Sequence, residues 1–578
     1  MVTNDDVVEL LDSIADLLEL KDENVFKVRA YRRAAEQLSQ GQIDVSKEVT
    51  EGTLEQHKGF GKALVEKITT FMQTGSLPYY NDLKKTVPKG LPDLLKIPNL
   101  GPRKVAFLHK AIGVKDIRTL EKACKAGEVA ALKGFGQKSE DKILHSLQNV
   151  KKYNELHLLS DADDTAEIII TKLKKMCPKS TIEVCGSLRR KKEVIRDIDI
   201  LAATSSPKKL VSSFLDIAKE IGAKVHNEGE IKVSIRNTEG TQIDLRIVSP
   251  KEFPTALAYF TGSKAHNTSI RGLAKKKGFT LNEYRLESLK TGKSLSVKSE
   301  EELYSKLGLP FIPPEMREDS GEIEAGQARK LPNKLIQNKD LRGILHVHTN
   351  YSDGRSTVAE MAEAAGALGA EFLGISDHSQ TAVYANGLSP QRIAKQWKEI
   401  DAWNKKKKKP FILKGIESDI LPDGSLDYKD SLLKEFDFII GSVHSSFQMS
   451  EEEMTRRVIT AMENPYLNIV GHPTGRLLLQ REPFKLNMDE FLKAALKNQV
   501  VVEINAHPVR LDLAWNSVKK AKEMGIKLGI NPDAHSQEGL ALTKWGVTVA
   551  RRGWLEKTDI INCLTKGKLV DFFSSQRS

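Results

Sequence analysis

Beyond residue 340 the chain repeats one unit, a short apolar run followed in most cases by a segment long enough for a helix. Seven such runs, at 343–346, 372–375, 411–413, 438–440, 468–470, 500–504 and 527–530, alternate with stretches such as 358–368 and 517–523. This alternation predicts a parallel sheet curled into a barrel, whose C-terminal strand ends converge on one mouth. Every run but one leads into side chains that bind metal: His346 and His348 followed by Asp353, then His378, Glu417, His444, His472, and Asp533 with His535. Positions i and i+2 of a strand share a face, so His346 and His348 can serve one site, as can Asp533 and His535. Nine nitrogen and oxygen ligands exceed what one ion needs and predict a cluster of two or three. His507 falls outside the set and reads as structural or as a support for the ligands. The lysine run 405–409 reads as a solvated helix end.

This ligand set resembles, without a missing position, that of the PHP (polymerase and histidinol phosphatase) family. The resemblance implies a distorted (β/α)7 barrel over 336–578 and a trinuclear site hydrolysing phosphoesters, with Mn²⁺, Zn²⁺ or iron as its ions. Clustered cations acidify a bound water and clamp the attacking and leaving oxygens of a phosphodiester.

A second acidic pattern lies upstream. Arg196-Asp197-Ile198-Asp199-Ile200-Leu201 places two carboxylates on one strand face and isoleucines on the other. Like charges so close repel and call for a divalent cation. Asp244, between Ile243 and Leu245, offers a third carboxylate from another strand. Three acids with two Mg²⁺ or Mn²⁺ ions suit in-line displacement at phosphorus. A lone Asp-x-Asp is weak evidence, but two further segments accompany it. Cys185-Gly186-Ser187-Leu188-Arg189-Arg190 is a Gly-Ser turn with two arginines suited to triphosphate oxygens. Further on stand Tyr259-Phe260-Thr261-Gly262-Ser263-Lys264-Ala265-His266-Asn267 and then Arg271.

Together these motifs resemble the family X DNA polymerases over about residues 1–310. The resemblance implies that Asp197, Asp199 and Asp244 are the catalytic, metal-binding acids, with Asp244 assisting deprotonation of the primer 3′-hydroxyl. It implies nucleotide contacts from Gly186, Ser187, Arg190, Tyr259, Phe260, Gly262, Asn267 and Arg271. Ser187 and Arg190 would meet the triphosphate, Tyr259 and Phe260 the sugar, and Asn267 and Arg271 the minor-groove edge. Three positions depart from the family pattern: Gln242 replaces an arginine, Lys264 an acidic residue and Arg196 a glycine.

Three glycine segments precede this region, around Gly59 and Gly61, Gly101, and Gly134 and Gly136. Each is flanked by helix-like stretches and by cations, namely Lys62, Arg103 with Lys104, and Lys138. They read as helix-hairpin-helix units gripping the DNA backbone, where glycines admit a phosphate and helix-start N–H groups attract it. Lys67 matches the family lysine that forms a Schiff base with a 5′-deoxyribose phosphate, and the sequence equally permits a phosphate contact there.

Length and charge fit this reading. The 578 residues predict about four domains at roughly 150 residues each. A chain that is 40% hydrophobic and 29% charged belongs to ordinary globular protein, excluding collagen-like and wholly disordered classes. Net charge +12 is compatible with a polyanionic partner. Four scattered cysteines argue against a disulfide framework, and with an acidic N-terminus unlike a signal peptide they lead to an expected cytoplasmic location.

The expected architecture is multidomain α/β. It comprises an 8-kDa-like helical domain (1–85), a helix-hairpin-helix domain (86–155), a nucleotidyltransferase palm (156–250), a thumb (251–314), a flexible linker (315–335) and the PHP barrel (336–578). The expected function is gap-filling DNA synthesis in base excision repair with 3′–5′ exonuclease, 3′-end-processing or abasic-site endonuclease activity. Expected partners are gapped or nicked 5′-phosphorylated DNA and dNTPs, for a monomer that meets no membrane. The alternative is a DNA-end-binding protein whose barrel hydrolyses small phosphate esters.

Overall fold

A computed structural model describes residues 4–39, 43, 45–95, 97, 100–153, 155–406 and 409–577. Pro98 and Asn99 of the second glycine segment, Lys407 and Lys408 of the lysine run, and the first three residues lie outside them. The chain divides into two compact units, residues 1–154 and 155–578.

The first unit is helical, running from Asn4–Leu20 to Gln137–Tyr153. Each glycine segment leads into a helix: Gly61 caps Lys62–Thr74, Gly101 caps Pro102–Ile112, and Gly136 precedes Gln137–Tyr153. Gly59 and Gly134 take φ of +101° and +90°, a backbone state that favours glycine. Leu64, Ile68, Val105 and Leu108 on these helices are buried in one core.

In the second unit, five strands form the palm sheet: β1 (Thr181–Val184), β2 (Asp197–Ala203), β3 (Lys224–Glu228), β4 (Lys232–Arg236) and β5 (Gln242–Val248). Their order is β1-β2-β5-β4-β3, and β2 and β5 run parallel with Asp197 opposite Gln242 and Asp199 opposite Asp244. Ile198, Ile200, Ile243 and Leu245 point the other way and are fully buried under helices Leu159–Met176 and Pro207–Glu220. Burying each such side chain stabilises by about 2 kcal/mol. Repulsion between neighbouring like charges is about 1 kcal/mol or less per pair. The apolar face therefore holds the acids together. Beyond the palm come helices Phe253–Thr261 and Lys264–Lys276, a three-stranded antiparallel sheet and helix Glu300–Lys306.

Segment 315–335 is not the flexible linker expected from its Pro and Glu content. Met316, Arg317, Glu322 and Ile323 are buried, and Arg317 and Glu322 are wholly so. Arg317 donates to Glu300 at 2.6 Å and to the Ile312 carbonyl at 2.9 Å. Glu322 sits 2.6 Å from His266 Nδ1. The charges of the segment are paired, and one short 3₁₀ turn and a six-residue helix are too brief to leave a period in the sequence.

The last seven strands are β6 (Gly343–Val347), β7 (Phe372–Ile375), β8 (Phe411–Asp419), β9 (Phe438–Ser442), β10 (Ile469–Val470), β11 (Val501–Asn505) and β12 (Leu528–Asn531). All neighbours are parallel and in chain order. A bridge between Val347 and Ala534 nearly closes the ring. Helices such as Val358–Ala367 and Glu451–Met462 separate the strands, each begun by a capping box, Thr357 with Glu360 and Ser450 with Glu453. No helix among the described residues is long and apolar enough to cross a membrane.

Two candidate metal centres

All nine predicted barrel ligands meet at the mouth. They fall into four overlapping groups of ligand-distance atoms: His348, Asp353, His378 and His535; His346, Glu417 and His472; His346, His348 and Asp533; and His378, Glu417 and His444. Glu417, at the inner end of β8, is the hub. Its carboxylate lies 2.9 Å from His378, 3.0 Å from His472, 3.2 Å from His346 and 3.4 Å from His444. Asp533 lies 3.2 Å from His348 Nε2, and Asp353 is 3.4 Å from His535.

Asp533 and His535 fall in neighbouring groups that share His348, with Asp533 Oδ1 3.8 Å from His535 Nδ1. β12 ends at Asn531 and Asp533 has φ +55°, so strand alternation no longer applies. His346 (φ +58°) and His472 (φ +24°) also adopt left-handed backbone, strained for residues other than glycine. Non-glycine residues persist there only where the surroundings over-determine them, and such strain clusters at functional sites.

Burial and charge set the electrostatics. Burial alone would raise the Glu417 carboxyl, but the imidazoles of His346, His378 and His444 hold it well below the usual range. Burial opposes protonation of His444, yet Glu417 and Asp419 lift it to about 9. His535 likewise reaches about 9 through Asp353 and Asp533, against the effect of burial. Burial, with His535 and His378 nearby, lowers His348 to about 4.

Several buried atoms here have no hydrogen-bond partner: His346 Nε2, both ring nitrogens of His348, His378 Nδ1 and Glu417 Oε2. Buried polar atoms are seldom left unsatisfied, and a cluster of soft nitrogens and hard carboxylate oxygens aimed at one another fits divalent ions.

Four supporting residues escaped the sequence reading. Glu503 accepts from His346 Nδ1 at 2.6 Å, from the His472 amide at 2.6 Å and from Asn531 at 2.8 Å. Asp419 accepts from His444 Nδ1 at 2.7 Å. Asp377 accepts from Thr349 and Gln396, bracing the loop after His348. Tyr384, mostly exposed, stands at the rim with its ring 6.1 Å from His378 and 6.3 Å from His444. Two of these had a signal: Glu503 is a lone acid inside an apolar run, and Asp419 is two residues beyond Glu417 on the same strand. His507 is not in the ligand groups.

In the palm, Asp197, Asp199 and Asp244 share one face of β2 and β5. Burial first, then Asp197 and Asp244, raises the Asp199 carboxyl to about 7. Lys232 Nζ lies 3.3 Å from Asp244, and Gln242 donates to Asp244 at 3.2 Å. The glutamine standing where the family has arginine thus still holds the third acid. Gly186 has φ +58°, and a Cβ there would collide with the Asp199 carboxylate, so the Gly-Ser turn abuts the acids only because 186 is glycine.

Of the two arginines in that turn, Arg189 is committed to Glu300 and Thr261. Arg190 is largely buried, donating to the Thr261 carbonyl at 2.7 Å and to Glu318 at 3.1 Å. Ser187 is half-buried beside them. Tyr259, Asn267 and Arg271 line one small cavity. Asn267 donates to the Tyr259 carbonyl at 2.7 Å, and a Cβ at Gly262 would strike Asn267. Phe260 stacks edge-on against Tyr259 and lies under Arg246.

In the helical unit Lys62, Lys104 and Lys138 are exposed, while Arg103, also exposed, reaches Glu19 at 2.8 Å. Lys67 donates to the Ala63 carbonyl at 2.9 Å and lies 4.9 Å over the Tyr79 ring.

A nucleotidyltransferase palm with an acid triad, a thumb behind it and a parallel barrel carrying nine convergent candidate ligands define a class, a two-centre phosphoryl-transfer protein. Comparisons with known proteins narrow it. Family models match for a helix-hairpin-helix domain (2–77), a SAM-like helix-hairpin-helix tandem (91–149), the DNA polymerase beta thumb (256–318) and the PHP domain (345–507). The chain is 39% identical to the DNA polymerase/3′-5′ exonuclease PolX of Bacillus subtilis (strain 168), over 96% of its own length and 97% of the relative's. A probable phosphatase of Thermoanaerobacter sp. (strain X514) is 27% identical over 40% of this chain and 94% of that protein. The chain belongs to the family X DNA polymerases that carry a PHP domain.

Proposed function

We propose that the chain is a DNA polymerase that fills short gaps and a 3′–5′ exonuclease that trims 3′ ends, with one activity in each acid cluster. The observation that carries the reading is the register of β2 against β5, which sets Asp199 beside Asp244 with Asp197 on the same face. Bound in the triad as Mg²⁺ or Mn²⁺, and in the barrel as two or three ions of Mn²⁺, Zn²⁺ or iron, divalent metals would acidify the attacking hydroxyl or water and offset charge on the leaving oxygen.

The protein's own residues do the rest. Asp244, held by Lys232 and Gln242, receives the proton of the primer 3′-hydroxyl. Gly186, Ser187 and Arg190 face the triphosphate, Tyr259 and Phe260 underlie the sugar, and Gly262 lets Asn267 and Arg271 approach the nascent pair. Gly59, Gly61 and Lys62, then Gly101, Arg103 and Lys104, then Gly134, Gly136 and Lys138, hold the DNA backbone. Such work belongs to base excision repair in the cytoplasm, by a monomer acting on gapped, 5′-phosphorylated DNA and dNTPs.

One gapped, 5′-phosphorylated duplex incubated with and without dNTPs tests both activities. Extension with dNTPs and shortening without them is the expected result; neither reaction would sink the reading. The similarity to a probable phosphatase favours a second reading of the barrel, hydrolysis of small phosphate esters. Efficient release of phosphate from such esters with no 3′ shortening would establish it. For Lys67, borohydride trapping on an incised abasic duplex is expected to vanish in Lys67→Ala; trapping that persists leaves Lys67 a phosphate contact.

A further inference from the structure

The last helix turn before residue 553 belongs to the barrel, yet its arginine ends inside the palm. Arg552, at the C-terminus of helix Thr543–Arg552, is 1% exposed. Its guanidinium lies 5.0 Å over the Trp515 ring. Its Nη1 donates to the Arg190 carbonyl at 2.6 Å and to Glu318 Oε1 at 3.1 Å. The same Glu318 oxygen accepts from Arg190 Nε at 3.1 Å. Arg190 Nη1 is meanwhile fixed on the Thr261 and Gly262 carbonyls.

Two arginines thus share one carboxylate in a nearly water-free pocket directly behind the Gly-Ser turn. Arginine is charged at any relevant pH, so the trio of Arg190, Arg552 and Glu318 carries one net positive charge. Without Arg552 the remaining pair is neutral, Glu318 competes undiluted for Arg190, and the carbonyl that ends the turn loses its donor. Fields in such a low-dielectric pocket are poorly screened, so a single charge there is felt at the turn.

We propose that Arg552, a residue of the nuclease barrel, is a positioning residue of the polymerase centre. It holds the Gly186–Arg190 turn in place and shares Glu318 with Arg190, so that the Arg190 charge is not neutralised and acts on the triphosphate of an incoming dNTP. The inference rests on the reading of Arg190 as a triphosphate contact. It implies that the barrel is a structural part of the nucleotide site as well as a second catalytic centre.

The test uses the full chain and single-nucleotide insertion on gapped DNA. Arg552→Gln is expected to raise KM for dNTP roughly tenfold, the size of one charge-assisted hydrogen bond, with kcat within about twofold. Shortening of 3′ ends in the absence of dNTPs should be unchanged. Arg552→Lys should recover part of the affinity. Adding Glu318→Gln to Arg552→Gln should lower KM again, because the uncompensated carboxylate is gone. An unchanged KM in Arg552→Gln overturns the proposal, as does a parallel fall of extension and trimming that neither Arg552→Lys nor the double variant relieves. Arg190→Ala separates the two layers. A raised KM there with an unchanged KM in Arg552→Gln defeats the coupling alone, whereas an unchanged KM in Arg190→Ala defeats the reading of Arg190 beneath it.

Discussion

In the palm, Asp197, Asp199 and Asp244 crowd together with Lys232 and Gln242 steadying one of them, and Asp199 keeps its proton to about pH 7. In the barrel, Glu417 and Asp533 sit among six imidazoles, both held well below the usual carboxylate range, while His444 and His535 stay protonated to about pH 9. The first cluster is like-charged and held by the hydrophobic face beneath it. The second is charge-balanced, and carboxylates behind the ligands, Glu503 and Asp419, fix the rings. An ion entering the palm relieves repulsion; an ion entering the barrel meets buried ring nitrogens that lack a hydrogen-bond partner and displaces protons that carboxylates hold on His444 and His535. Two centres on one chain can thus gather the same class of ion through opposite electrostatics.

The sharpest way to break this comparison is to disable each centre alone. Asp197→Ala should reduce extension by about a thousandfold or more and leave 3′ trimming intact, with His346→Ala doing the reverse. Loss of both activities in either variant would show that the centres are not independent. Next in size is Glu503→Gln, which keeps the shape but weakens the hold on His346 and His472. Trimming or barrel metal affinity should fall about 10- to 100-fold, extension being unaffected. An effect under twofold would mean that the rings are oriented by packing alone.

A smaller effect is expected in pH. In chelated protein, Asp199 contributes stability that is full below its ordinary value of 3.8 and lost as pH rises through about 7. His444 and His535 contribute stability that is full below 6.5 and lost as pH rises through about 9. Melting temperature without ions should therefore decline from pH 6 to pH 9 and flatten when Mn²⁺ is added. Asp199→Asn should remove the part of the decline below about pH 7. A melting temperature that climbs over this range in chelator would contradict the assigned charge states.

Much of this was legible in the chain itself. The seven apolar runs announced the barrel, and the nine ligands that follow them all reach its mouth. The Asp-x-Asp of β2 reads directly as two acids on one face because a strand's period is two. What resisted reading is instructive. The segment around Glu315, Arg317, Glu318 and Glu322 reads as a linker, since nothing in its composition says that each charge has a partner 17 to 236 residues away. Asp533 and His535 stay in one cluster, 3.8 Å apart, although a left-handed residue just beyond β12 ends the strand alternation from which their shared face was read.

Local pattern alone settles which of the longer elements form and which face of each is apolar, because helix and strand periods act over a few residues. It also names the candidate metal-binding side chains, because ligand chemistry belongs to residue type. Only the folded chain decides which carboxylate supports which imidazole, which imidazoles share a carboxylate, and that an arginine of the barrel braces a turn of the palm. Those are contacts between residues far apart in sequence, made by packing and by the need to satisfy every buried charge, and no local rule carries them.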